Sequence, residues 1–466
     1  MSEPATPSSQ SGTGSAATSS GQLHRVLGLP ELIFFGLAYM VPLTVFTTYG
    51  VVTDGTEGHL PGAYVITLAT MIFTALSYGA MVRIHPVAGS AYSYTQRSFG
   101  GSVGFAAGWA LLLDYIFLPM INFLVIGIFV NALWPAVPAW VWVVVSIAVV
   151  TALNVLGIKM VTRFNYALII FQIVFIVVFV ALAVRHITGD TGTPSIGSVF
   201  FGNAQMGLLF SGAAILCLSF LGFDAISTLS EETRDPRRLI PRAILLVTVI
   251  GGGLFIVVSL VASLAFPDYV NFTDVDSAAN DVMVRVGGTA LETFFTAAYV
   301  AGCFASALAS QASVGRILYA MGRDATLPKQ VFGRITARFS TPANAIVIVG
   351  AVSLVALTIS LSTAAEMVSF GALVAFSMVN LSVIKVYLIE QRRRSATDLV
   401  RFGVLPLIGF GLTMWLWTSL SATAITVGLV WLAVGVAYLI YLTRGFRRPA
   451  PTLDMREESV PVADPV

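Results

Sequence analysis

At 466 residues, with 57% hydrophobic and only 10% charged side chains, the chain is not an ordinary soluble domain, in which about a quarter of residues are charged. Its composition is that of an all-α, polytopic integral membrane protein with the lipid bilayer as its solvent. A net charge of +2 gives no ground for a nucleic-acid partner.

Residues 1–24 are mostly Ser, Thr, Gly, Ala and Pro and cannot bury a core, so they are expected to be disordered. They lack a charged segment followed by an apolar one, which argues against a cleaved signal peptide. A helical span needs about 20 apolar residues. Twelve stretches qualify, at about 30–50, 62–83, 104–132, 139–157, 164–185, 204–229, 242–266, 285–320, 342–361, 366–389, 403–420 and 423–443. Together they form one transmembrane domain over 25–448, and the polar tail at 449–466 is again expected to be disordered.

The first span reads GLAYMVPLTVF (36–46), with Pro42 deep inside an apolar run. Proline lacks the N–H for the helical ladder, so Tyr39, Met40, Val41 and Pro42 are candidates for an unwound segment. Lipid cannot satisfy backbone groups freed there, and such breaks persist where they face a protein cavity. At the inner end of the second span, HPVAGSAYSYTQRSFG (85–100) reads as close-packed helix and loop.

The third span places Asp114 and then Tyr115 about ten residues in, within WALLLDYIFLP. A carboxylate at mid-membrane costs about 2.5–3.5 kcal/mol and is a functional suspect, while a tyrosine offers an aromatic face and a hydroxyl. The plainer reading is that Asp114 bonds a neighbouring helix and Tyr115 packs. The sixth span, LCLSFLGFDAIS (216–227), is broken like the first, by Gly222, with Asp224 just beyond. Ser219, Phe220 and Gly222 are candidates for the second unwound segment. Asp224 is expected to cap the inner half-helix and, in addition, to bind a cation or carry a proton. Other acids, Glu31, Glu292, Glu366 and Glu390, read as span-end residues.

Four intact spans separate the two broken ones. Residues 30–185 and 204–389 therefore form two five-span repeats, with 403–443 adding two more spans. Five is odd, so the second repeat is inverted. The run EETRDPRRLIPRAI (231–244), led by Glu231 and Glu232, is expected to form a cytoplasmic salt-bridge network acting as a hinge or gate. Cys217, Cys303 and the four histidines suggest no disulfide, metal or enzyme centre, and no cofactor is implied.

With the N-terminus inside, only Arg185 and Arg285 of the 25 Lys and Arg fall outside. This is the positive-inside pattern of a multi-pass inner-membrane protein with both termini cytoplasmic. The outer loops carry Asp54, Glu57, Asp190, Asp268, Asp274, Asp276 and Asp281, either a mouth that concentrates cations or plain solvated acids. No Lys or Arg lies at mid-membrane to meet a carboxylate, which favours a small cationic substrate.

In combination, PVAGSAYSY (86–94), SFLGFD (219–224), EETRDPRRLIPRAI (231–244) and MGRDATLP (321–328) resemble the amino acid–polyamine–organocation superfamily. Within it GLAYMVPLTVF, GWALLLDYIFLPMIN (108–122) and SFGALVAFSMVNLSV (369–383) are most similar to bacterial putrescine importers. The resemblance implies a leucine-transporter-like five-plus-five fold with substrate between spans 1, 3, 6, 8 and 10. It also implies proton-driven import of a diamine, Tyr115 at a substrate-linked position, and unwound segments at Tyr39–Pro42 and Ser219–Gly222. Some cationic amino acid permeases carry a coupling lysine in the fifth span, where YALIIFQIVFIVV (166–178) has Gln172 instead. An amide cannot shuttle a proton, so Asp224 or Asp114 becomes the candidate carrier. An amino acid permease remains the alternative substrate class, and a non-transporting sensor the alternative role. The oligomeric state has no signature in the sequence.

Overall fold

Among the described residues eleven helices are long and apolar enough to cross a membrane, and a shorter apolar one, Ala343–Thr358, makes twelve. The computed structural model describes residues 27–86, 91–157, 161–189, 194–323, 326–336 and 341–450, with backbone alone for 161–168 and Glu231. The N-terminal tail, the C-terminal tail beyond Ala450, residues 87–90 of the 85–100 run and Asp324–Ala325 of MGRDATLP lie outside the described residues.

The spans follow the apolar runs closely. Spans 2 to 5 are Leu60–Ile84, Gly101–Leu133, Ala139–Leu156 and Val161–Gly189. Span 7 is Pro236–Ala265, span 10 begins as Leu361–Val383, span 11 covers Ala396–Thr418 and span 12 is Ala422–Leu442. Serine caps start several of them: the hydroxyls of Ser360, Ser395 and Ser421 accept backbone N–H groups of the following turn. Span 8, Ala278–Arg323, is two helices joined at Gly288, whose φ of 66° breaks the ladder. Its length is therefore divided into a short helix before Gly288 and a longer one after it.

Spans 6 and 10 are the interior of the bundle, 72% and 78% buried along their apolar windows, whereas span 12 is 17% buried and lies outside. Small residues let the inner helices approach. A Cβ on Gly371 of span 10 would stand 2.6 Å from the Ala110 carbonyl of span 3, and one on Gly79 of span 2 would meet Pro241 of span 7 at 3.0 Å. Span 8 is tied to spans 3 and 4 by polar side chains: Asn122 donates to Ser306, and Asn154 to the Leu308 carbonyl and Gln311.

Spans 1 and 6 run antiparallel and touch along their length. The Leu27 N–H donates to the Glu232 carbonyl at 3.1 Å, and the Arg234 N–H donates to the Leu27 carbonyl at 3.2 Å. Further in, Gly36 packs on Ile226, and Gly222 packs on Tyr39 and Met40. As numbering rises in one span it falls in the other, as an inverted pair requires.

Three local features stand out. Among the described residues the 231–244 run holds one exposed ion pair, Arg238–Asp235 at 3.8 Å, and such pairs contribute little. The contact at that end is the backbone bridge from Leu27 to Glu232 and Arg234; the Glu231 side chain lies outside the described residues. Glu366, near the start of span 10, is buried: its carboxylate accepts the Ser421 N–H at 3.3 Å and the Ser421 hydroxyl, tying the start of span 12 to span 10. Three acids of the segment between spans 7 and 8, Asp268, Asp274 and Asp281, accept hydrogen bonds from the nearby Asn271, Ser277 and Thr273.

Candidate functional site

Both breaks are genuine departures from helix. Span 1 is helical over Leu29–Met40 and turns at Val41, which has φ 51° and ψ 99°. It resumes as a 3-10 turn over Pro42–Phe46 and a short helix, Tyr49–Gly55. A β-branched residue at positive φ is strained, and strain of this kind is held only where surrounding packing fixes it. Span 6 is helical over Met206–Leu216 and 3-10 over Cys217–Phe220, opens at Leu221 and at Gly222 with φ 125°, and re-forms as a 3-10 helix over Ala225–Glu231. A Cβ on Gly222 would stand 2.8 Å from Tyr39 Cδ1 and 3.0 Å from the Met40 nitrogen. The two unwound segments thus meet each other.

The protein answers many of the backbone groups at the breaks. In span 1 the Ala38 carbonyl accepts from the Val41 N–H, Met40 from the Thr44 hydroxyl and Val41 from the Thr44 N–H. In span 6 the carbonyls of Ala213 and Ile215 accept from the hydroxyls of Thr67 in span 2 and Ser369 in span 10. The Gly222 N–H donates to Asp224 Oδ1 at 3.2 Å. Asp224 therefore holds the break itself, and its side chain makes no cap on the helix that follows.

Polar chemistry left over is concentrated on side chains. Asp114 is 7% exposed, and its Oδ1 is buried with no hydrogen-bond partner among the described residues. Span 10 presses on it: a Cβ on Gly371 would lie 3.0 Å from the Asp114 nitrogen. Asp224 is partly buried and close enough to Asp114 for their charges to interact. Tyr115, the next residue in span 3 after Asp114, is partly buried.

Tyr78 of span 2 completes the group and had no signal in the sequence that set it apart from the other tyrosines. It is fully buried, its hydroxyl has no hydrogen-bond partner among the described residues, and both Asp224 and Asp114 are within electrostatic reach of it. Its ring meets those of Tyr94, Phe223 and Phe376 edge-on at 5.7–6.0 Å. Two acids, a phenol and an aromatic wall can hold an ammonium by charge, hydrogen bond and cation–π attraction.

The other candidates separate by direction. Tyr39 is 38% exposed and lies against Gly222, with the Phe35 ring centre 6.2 Å from its own. Met40 packs on Gly251 of span 7, and Phe220 lies edge-on to Phe255 of the same span at 5.6 Å, so these side chains face away from the acids. Ser219 bonds the Tyr64 hydroxyl at 3.2 Å. Pro42 is buried and opens the 3-10 turn. Gln172 is 4% exposed, lies against Gly302 of span 8, and its Oε1 has no partner among the described residues.

One side of the breaks is shut. Phe46 touches Phe295, Phe179 and Phe175 at 5.1–6.4 Å, Phe129 touches Phe295 and Tyr299, and the hydroxyls of Thr47 and Tyr299 are 2.5 Å apart. Each of those rings is at most 1% exposed. On the opposite side, helix Ala91–Phe99 is latched to span 10 by Lys385, which donates to the Ser98 carbonyl and lies 4.8 Å from the Phe99 ring centre. Beside it, burial and the Arg97 guanidinium hold the His85 imidazole below its usual value.

A helical bundle whose two interrupted, antiparallel spans meet beside buried acids is the architecture of a membrane permease rather than of an enzyme. The sequence profile of the amino acid permease family matches residues 31–443, and the chain belongs to that family. It is 42% identical to the low-affinity putrescine importer PlaP of Escherichia coli (strain K12), over 93% of this chain and 97% of that one. It is 28% identical to the branched-chain amino acid permease BcaP of Bacillus subtilis (strain 168), covering 91% and 95% of the two chains. The methylthioribose transporter of the same strain is 26% identical, over 92% and 96%.

Proposed function

We infer that the chain imports putrescine or a closely related diamine across the inner membrane, in symport with protons. The observation that carries this reading is the balance of buried charge. Among the described residues no Lys or Arg is buried, whereas Asp114 is, next to partly buried Asp224. Similarity to a putrescine importer along nearly the whole chain supports the same cargo. One ammonium would meet Asp224, the other Asp114 and the Tyr78 hydroxyl, with the methylenes along Tyr115 and the aromatic wall. The asymmetric charge of the loops supports inside termini, which makes the aromatic plug the outer gate. Spans 1, 2, 6 and 7 would then rock against spans 3, 4 and 8 to expose the acids alternately.

An amino acid would also need donors for its carboxylate. Pro42 has no N–H, and those of Val41 and Gly222 are already engaged, which weighs against that alternative. Competition against labelled putrescine uptake by diamines, spermidine and common amino acids separates the two. Inhibition by amino acids and not by diamines would overturn the diamine reading.

Tyr78→Phe is an informative variant. Deleting an unpartnered buried hydroxyl should leave thermal stability unchanged or raised, since nothing is left unpaired. If the phenol meets the substrate, the apparent affinity for putrescine should fall by about fivefold, the equivalent of one neutral hydrogen bond.

A further inference from the structure

The exposed face of span 5 ends in charge. Ile170, Val174, Val177 and Val184 are 45–62% exposed. Their spacing sets them along one side of the helix, an apolar stripe turned away from the bundle. Arg185 and His186 follow directly.

With Leu182, Gly189 and Val286 of span 8, these two residues line an open groove of about 440 Å³. The groove lies where span 8 changes direction, since Val286 precedes the break at Gly288 by two residues. Among the described residues no carboxylate pairs with Arg185. His186 Nε2 is buried and has no hydrogen-bond partner among them. Arg285, which precedes Val286, sits with its guanidinium 5.5 Å from the Phe266 ring centre. A cation and an unanswered imidazole nitrogen thus stand at the end of an apolar track.

We propose that this groove binds an anionic phospholipid, its phosphate held by Arg185 and His186 and one acyl chain lying along the span 5 stripe. A free phosphate would satisfy the polar end alone, whereas a lipid would also use the apolar face that leads away from it. The occupant that matches both is a lipid. Which leaflet supplies it follows from the orientation inferred above, but the binding does not depend on that orientation or on the transported substrate.

Native mass spectrometry of the full chain, delipidated in detergent and titrated with phosphatidylglycerol, tests this directly. The expected result is one retained phosphatidylglycerol whose apparent affinity falls about fivefold in Arg185→Gln, the effect of one basic residue at a membrane surface. It should fall further in the Arg185→Gln/His186→Gln double variant and stay within twofold in Arg185→Lys, which keeps the charge. Inorganic phosphate at millimolar concentration should not displace the lipid. Equal affinity in the wild type and the double variant would overturn the site, and displacement by inorganic phosphate would overturn the assignment to a lipid.

Discussion

Asp114→Asn should lower the efficiency of putrescine uptake by about 10- to 100-fold, the value of a hydrogen bond to a charged group, while lowering that of a monoamine much less. The argument starts from an oxygen: Asp114 Oδ1 is buried and no described residue answers it. A buried carboxylate without a partner is costly, and the cost is tolerated where a ligand completes the pair. The amide has nearly the same shape, so packing against Gly371 and span 10 is retained. A diamine loses the partner of its second ammonium, whereas a monoamine can still use Asp224. Uptake of both, measured side by side with quantified membrane insertion, decides the matter. Equal losses would contradict a two-ended clamp.

Gly222→Ala should abolish transport, leaving less than about a tenth of wild-type uptake, while the protein still inserts. Its φ of 125° is outside the range that residues with a Cβ adopt without strain of about 1–3 kcal/mol. The added carbon would in addition press on the Met40 nitrogen at 3.0 Å, which is backbone and cannot swing aside. The two breaks would be forced apart at the point where they meet. Gly253→Ala is the control, because a Cβ there meets nothing within 4 Å, and it should transport normally. Normal uptake by Gly222→Ala would mean that close contact of the breaks is not required.

Much of the architecture was legible in the sequence because lipid imposes a simple rule. Every span must be apolar for about 20 residues, so twelve runs and two interruptions could be read directly, and the Val41 and Gly222 geometries fall where Pro42 and Gly222 indicate. Side-chain direction was not legible, because it is decided by helices distant in sequence. Met40 and Phe220 face span 7 although they sit inside the unwound runs. Tyr78 gains its place from Phe223 and Phe376, both far along the chain. The breaks also expose fewer carbonyls than an isolated reading suggests, since Thr67 and Ser369 reach across to satisfy them. In the fifth span Gln172 is buried against Gly302 of span 8, a contact that the sequence does not reveal.

The central claim is accumulation of a diamine driven by protons, and proteoliposomes test it most directly. Purified protein should concentrate labelled putrescine above equilibrium when the exterior is more acidic than the lumen. A protonophore should collapse the gradient, and excess unlabelled diamine should compete. Binding without accumulation under the same gradient, or accumulation of neutral amino acids in preference to putrescine, would contradict the account.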